Sequence, residues 1–409
     1  MKKILILGVG AQGSTVARRM DEEPDVAEII CADYDQRAVD ELVKDLKKAR
    51  GIRVDASDRD SIVSAAKGTD LIVNALPLPF GPNVLEAALE AKTNYQDFAA
   101  TDALTEDWVE GIELMYTEYG RRFAEIGKTA IIGTGSAPGL ICVAARNAMR
   151  YLDSCETIYN IVYEGVEAKR FLPFWWSPLT ALSDMSEDAY AFENGQIIRT
   201  KAFGMPIYRK YEYLDKVVRL VEHAHDEPLH MGMNAKEFFK GAKNIYFKYG
   251  GPGITFAEPL YQAGLLSKEP VEVDGAQVIP FNVVLKHLPP APKYKEEIQE
   301  ILDEGLVSDS GAMVVEAIGM KDGKKVMVET HVFAPGLVES FQKAGITSEM
   351  YLTGQGGALF TKMFVKDLYT QKGLISSDML TFEQIDYYLK CAEELDITLH
   401  VEVKEVTDL

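Results

Sequence analysis

Gly8-Val9-Gly10-Ala11-Gln12-Gly13 follows an unbroken apolar run, Lys3–Gly8 (KILILG), and leads into the helical spacing of Val16, Ala17 and Met20. A continuous apolar run bounded by glycine is expected of a strand buried on both faces of a parallel sheet. Glycines in the turn that follows permit close approach of the backbone to a pyrophosphate, and the helix N-terminus supplies N–H donors and partial positive charge. Asp33 lies twenty residues beyond Gly13, at the end of a second expected strand, Glu28–Asp33 (EIICAD). Strand, glycine turn, helix and acidic residue at this spacing form a Rossmann dinucleotide-binding fingerprint, against the competing reading of a tight turn without ligand. Gly8, Gly10, Ala11, Gln12 and Gly13 are therefore expected to cradle the cofactor. Asp33 would accept a hydrogen bond from a ribose 2′-OH and repel a 2′-phosphate, which favours NAD, and Asp35 adds to that repulsion. Arg37 could meet such a phosphate, so NADP stays open.

The strand–helix alternation continues to about residue 138. Asp70–Leu76 reads as a strand stopped by Pro77, Asn94–Asp97 as a short strand, 106–127 as a long helix and Thr129–Gly133 as a strand. Such alternation predicts a doubly wound parallel sheet, with ligands outside the carboxyl ends of its strands. Asn74, Ala75 and Pro77 on that rim are candidate cofactor contacts. Tyr95 and Asp97 end the next strand on the same rim; a carboxylate there could bind a substrate ammonium, assist proton transfer or merely cap a turn. In Gly133–Gly139 (GTGSAPG), Ser136 is a further cofactor candidate. Pro138 and Gly139 open a helix whose N-terminus could receive a substrate carboxylate. A plain hinge is the competing reading.

The chain has 409 residues, too many for one core, and 47% are hydrophobic. Its net charge of −20 argues against nucleic acid and anionic membranes as partners. Cys31, Cys142, Cys155 and Cys391 are scattered without metal-like or disulfide-like spacing, and no apolar run is long enough to span a membrane. A cytoplasmic protein without a signal peptide is expected, because the first strand begins at Lys3.

After Gly139 the pattern changes. A helix over about 139–151, a strand at Thr157–Glu164 and a hairpin turning at Asp322-Gly323 predict an α+β domain with a mixed or antiparallel sheet, inserted over 139–352. A tail over 353–409, with a glycine-rich entry (Gly354, Gly356, Gly357), a capping box at Thr381 and Gln384 and a last strand at Thr398–Val403, is expected to pack back on the Rossmann domain. Within the insert, Trp175 and Trp176 could wall a substrate site or lie at a subunit interface. Lys169, Arg170 and Arg209 are candidate carboxylate clamps, Arg170 foremost among them. His225 joins Asp97 and Tyr95 as a candidate for proton handling, although a solvated surface histidine is the blander reading. His223, His225 and His230 lack a second ligand set, so no metal is expected.

These residues together resemble the saccharopine dehydrogenase-like family. The resemblance rests on the glycine fingerprint, Asp70–Pro77, Asn94–Asp97 (like "hYvD") and, above all, Gly135–Gly139 (like "G-x-x-P-G"). Trp176-Ser177-Pro178 with Glu193-Asn194-Gly195, and His225–Pro228, are similar to "WSP…nG" and "HpE" stretches of the family. It implies hydride transfer at a carbon–nitrogen bond of an amino acid such as lysine, or of a lysine-derived adduct, by a homodimer whose second domain covers the nicotinamide. Ala137-Pro138 departs from the "DPG" form of the saccharopine and carboxynorspermidine enzymes and is closer to the lysine 6-dehydrogenase pattern. A protein of another class, binding NAD without turnover to order an interaction surface, shares the same fingerprint.

Overall fold

A computed structural model of the chain describes residues 1–99, 104, 105 and 107–406. It divides into two compact units, Met1–Asn147 with Met350–Ile397, and Ala148–Glu349 with Thr398–Leu409.

In the first unit the strands are β1 (Lys2–Leu7), β2 (Val26–Asp33), β3 (Ala49–Arg53), β4 (Leu71–Asn74), β5 (Asn94–Asp97) and β6 (Thr129–Ile132), joined by a returning strand, Gly373–Ser376. Among the described residues they make a seven-stranded sheet in the order Gly373–Ser376, β6, β5, β4, β1, β2, β3, and every pairing in it is parallel. Successive strand residues point to opposite faces. Leu5, Leu7, Ile30 and Ile72 therefore enter one apolar cluster, and Ile4, Ile6, Ile29 and Val73 enter another. Burial on both faces is why the strands read as unbroken apolar runs. The strand order reverses between β1 and β4, so the carboxyl ends of those two strands form the crevice where this architecture binds ligands.

Two features of the tail differ from expectation. Gly354, Gly356 and Gly357 lie inside a helix, Ser348–Val365, not at its entry. A Cβ on Gly354 would sit 2.9 Å from the Thr15 side chain, and one on Gly357 2.2 Å from the Phe98 ring. Close packing against the Rossmann layers, not a turn, accounts for these residues, at a cost of about 1 kcal/mol of helix propensity each. The second difference is the last strand, Thr398–Glu405, which pairs with Lys324–Phe333 in the other unit. Its alternating Leu399, Val401 and Val403 extend an antiparallel edge, so only Met350–Ile397 of the tail belongs with the Rossmann sheet.

The second unit contains β7 (Ser154–Glu164), β8 (Ala189–Glu193), β9 (Gln196–Thr200), β10 (Ile207–Arg209), β11 (Val218–Glu222), β12 (Asn244–Gly250), β13 (Gly311–Lys321), β14 (Lys324–Phe333) and β15 (Thr398–Glu405). They form a mixed nine-stranded sheet ordered β9-β8-β12-β7-β13-β14-β15, with β11 on β12 and β10 on β11. β12 and β7 run parallel. The β13–β14 hairpin turns at Asp322 and Gly323, both with positive φ as its two-residue turn requires. Among the described residues, no helix is long and apolar enough to cross a membrane.

Candidate functional site

The glycine turn has two closed sides and one open one. Gly8 has φ +89°, and an added Cβ would lie 2.6 Å from the Ala75 carbonyl oxygen; on Gly13 it would lie 1.9 Å from the Gly8 carbonyl oxygen. These two glycines let β1, β4 and the helix α1 (Ala11–Glu22) approach one another. At Gly10 an added Cβ would meet nothing within 4 Å. The first N–H groups of α1 have no partner within the helix, so the open side at Gly10 faces the donors a pyrophosphate needs. The residues present fit a dinucleotide.

Asp33 braces this turn. Its Oδ2 accepts the Val9 N–H at 2.9 Å and its Oδ1 the Asp35 N–H at 3.0 Å. Asp35 caps the following helix by accepting the Arg37 and Ala38 N–H groups, which gives it a structural role beside its charge. The Arg53 guanidinium lies 4.4 Å over the exposed Tyr34 ring at the same rim.

Three strand ends are tied together beside the crevice. Asn74 Nδ2 donates to the Tyr95 hydroxyl at 3.1 Å, which donates to Asp97 Oδ2 at 3.1 Å. Asp97 Oδ1 accepts the Gly133 N–H at 2.8 Å. All three side chains are buried. Burial is the largest influence on Asp97 and pushes its carboxyl up to about 8, against the Gly133 and Tyr95 donors that favour the charged form. Burial, then the Asp97 charge, hold the Tyr95 phenol well above its ordinary range. Asn74 Oδ1 meanwhile accepts the Leu76 N–H. The Asn74 carboxamide therefore has a positioning role at both its ends.

The Gly133–Gly139 turn folds on itself. Gly139 (φ +133°) packs so tightly that a Cβ would lie 2.0 Å from the Gly135 carbonyl oxygen, and the Ala137–Pro138 peptide is cis. Leu140 and Ile141 N–H donate to the Gly135 and Ser136 carbonyls. The helix start expected to receive a substrate carboxylate at Pro138 and Gly139 is thus partly occupied by the turn's own oxygens. Ser136 Oγ lies 2.9 Å from Thr353 Oγ1.

In the second unit His225 is half-buried rather than fully solvated, because its ring stacks on Phe247 at 3.9 Å and its Nδ1 lies 2.5 Å from Glu227 Oε2. Burial would lower its pKa, but the Glu227 charge and hydrogen bond, with Asp184 and Asp226, outweigh that and hold it up to about 9. Trp176 donates from Nε1 to Glu164 Oε2 at 3.1 Å. Trp175 belongs elsewhere: it donates to the Val166 carbonyl and packs with Ile298, Ile301 and Phe341 in the core, so it walls no site. Arg170 is held by Glu300 and Glu304 as an ion-paired surface residue, and so is not a free clamp. Glu164, Tyr249, His223 and Glu349 join the Trp176 and His225 group although their sequence gave little sign of it; the one signal was an acidic residue, Glu164, ending an apolar strand before Gly165.

Residues 4–131 match the family model described as Saccharopine dehydrogenase NADP binding domain. Over 98% of its length the chain is 26% identical to carboxynorspermidine synthase of Vibrio alginolyticus, covering 97% of that protein. Residues 4–131 thus carry the dinucleotide-binding domain that this family model describes. This saccharopine dehydrogenase-like chain is an NAD(P)-dependent oxidoreductase. Apo saccharopine dehydrogenase (L-Glu forming) of Saccharomyces cerevisiae has its fold, at TM-score 0.69 and 15% identity over 98% of this chain and 100% of that one. So does homospermidine synthase of Legionella pneumophila in complex with NAD, at TM-score 0.65 and 11% identity over 99% and 91%.

Proposed function

We propose that this enzyme transfers a hydride between a nicotinamide and the carbon of a carbon–nitrogen bond, with an aliphatic amine as one substrate. The observation that carries this reading is the likeness, along nearly the whole chain, to a carboxynorspermidine synthase. In the reductive direction an imine formed from an amine and a carbonyl acid gains a hydride at carbon and a proton at nitrogen, giving a secondary amine. A di- or polyamine is the amine this likeness favours; lysine or a lysine adduct is the amino-acid form of the same chemistry.

Bound at the glycine turn, the nicotinamide cofactor would supply or accept the hydride. Gly10 and the α1 N-terminus would hold its pyrophosphate, and Asp33 would select a free ribose 2′-OH, so NAD is our favoured form. Asp97 and Tyr95 act by holding the Gly133 turn in place beside the crevice. His225, kept cationic by Glu227, is the group we assign to proton transfer. Trp176, held by Glu164, is the aromatic group of the second unit that we assign to the substrate. Four buried free cysteines support a reducing, cytoplasmic setting. The deciding experiment asks whether reduced nicotinamide is consumed only when amine and carbonyl acid are present together.

A further inference from the structure

Strands β2 and β3 are parallel neighbours, and their last residues, Asp33 and Arg53, are register partners. Register partners on parallel strands lie about 4.8 Å apart and direct their side chains to the same face. The carboxylate assigned to the ribose 2′-hydroxyl therefore has a guanidinium beside it. That guanidinium comes from a strand, Ala49–Arg53, that carries no cofactor motif of its own.

Arg53 is held in one attitude. Its Nε donates to the Tyr34 carbonyl at 3.1 Å, and its guanidinium carbon lies 4.4 Å over the Tyr34 ring. Nε and one planar face are thus used, which leaves the terminal N–H groups of the fork unspent. Among the described residues, those terminal nitrogens have no hydrogen-bond partner and no carboxylate is ion-paired with Arg53. Arg50 on the same strand shows the contrast, since its Nε donates to Glu28 Oε1 at 2.7 Å. Asp55 feels the Arg53 charge, but its Oδ1 accepts the N–H and the hydroxyl of Ser57. Arg37 is exposed in the first turn of the helix Gln36–Val43, with Glu41 as a charge neighbour. A fork already fixed in its plane loses less freedom on meeting an anion, and its geometry matches two phosphate oxygens at once.

The charge of Asp33 is also partly compensated, because its two oxygens accept the Val9 and Asp35 N–H groups. Its repulsion of a 2′-phosphate is therefore opposed from both sides, by backbone donors and by the neighbouring guanidinium.

We infer that Arg53 is the residue that sets the margin between NAD and NADP: its terminal N–H groups receive a 2′-phosphate, so the chain binds both cofactors, with Asp33 serving the free 2′-hydroxyl. Tyr34 is the positioning residue that keeps the fork in its plane. This rests on the reading of Gly10 and Asp33 as the pyrophosphate and ribose ends of the cofactor site.

The test is calorimetric titration of the full chain with NADH and NADPH, and with 5′-AMP and 2′,5′-ADP. Each pair differs by the 2′-phosphate alone. NADPH is expected to bind the wild type within about tenfold of NADH, with an affinity that falls more steeply with salt. Arg53→Gln should weaken NADPH and 2′,5′-ADP by about tenfold or more, the loss of a charge-assisted pair, and change NADH and 5′-AMP by about twofold or less. Arg53→Lys should fall between, because it keeps the charge and loses the fork. Arg37→Ala should leave the ratio of NADH to NADPH affinity in place. If Arg53→Gln loosens the fold, Arg53→Lys and the salt dependence of the wild type give the same readout. Equal weakening of all four ligands would assign the guanidinium to the adenine they share and overturn the inference. So would a ratio that Arg53→Gln leaves unchanged, or one that only Arg37→Ala moves. NADH binding without an effect of Arg53 on the 2′-phosphate defeats the role of Arg53 alone; binding of neither NADH nor 5′-AMP defeats the reading of the glycine turn with it.

Discussion

The Tyr95 hydroxyl donates to Asp97 Oδ2 over 3.1 Å, two residues along one strand, with both side chains almost wholly buried. Residues i and i+2 of a strand share a face, so β5 itself sets this pair. Asn74 on the adjacent strand and Gly133 beyond the next complete a chain across three strand ends.

Tyr95→Phe should remove one donor from Asp97 and cost about 1–2 kcal/mol in denaturant unfolding. Because the Tyr95 hydrogen bond lowers the Asp97 pKa, its loss should also move any Asp97-linked limb of the pH–rate profile upward. Nicotinamide affinity should hold. A purely structural tyrosine would change stability and leave the pH profile in place.

Asp97 gives a signed pH dependence. Its carboxyl rises from an ordinary 3.8 to about 8 in the fold, so between those values the folded chain holds a proton that the unfolded chain has released. The stability it contributes is fully present below about pH 4 and is lost as pH rises through about 8. Asp97→Asn should flatten the fall in stability across that window, measured by chemical denaturation at stepped pH. An unchanged slope would show that other groups cause it.

The glycines of the cofactor turn should respond differently to one methyl group. Gly13→Ala places Cβ against the Gly8 carbonyl and should destabilise the first unit by about 1–3 kcal/mol or more, as forced overpacking does. Gly10→Ala meets open space within the protein, so thermal stability should be nearly unchanged while nicotinamide affinity falls. Calorimetry and melting curves on the two variants separate these outcomes.

Asp33→Ala should weaken NAD binding and narrow its margin over NADP, since it removes both the 2′-hydroxyl acceptor and the repulsion of a 2′-phosphate. Loss of the Val9 N–H bond should loosen the turn as well. An unchanged ratio of NAD to NADP affinity would remove Asp33 from cofactor selection.

The Rossmann sheet was legible in the sequence because apolar strands buried on both faces, glycine turns and caps are local signals. Strand Asn94–Asp97 and the Thr381 capping box were read to the residue. The short strand Gly373–Ser376 was not read, since its GLIS run lacks a flanking periodic pattern and is set by parallel pairing with β6. The same holds for the site. Gly8, Gly10, Gly13 and Asp33 carry their roles in their spacing, whereas Trp175 and Trp176 are adjacent and look alike. Only three-dimensional packing sends one into the core and the other to Glu164. Arg170 looked free because Glu300 and Glu304 lie 130 and 134 residues away. His225 sat in a charged stretch that suggested solvent, and its partial burial depends on Phe247 from another strand.

Hydride transfer at a carbon–nitrogen bond is tested most directly by following reduced nicotinamide while a diamine and an aldehyde acid are supplied separately and together, with mass analysis of the product. We predict consumption only with both substrates, one nicotinamide oxidised for each secondary amine formed. Consumption with the carbonyl compound alone at the same rate, yielding an alcohol, would contradict the assignment, as would cofactor binding without turnover under any amine and carbonyl pairing.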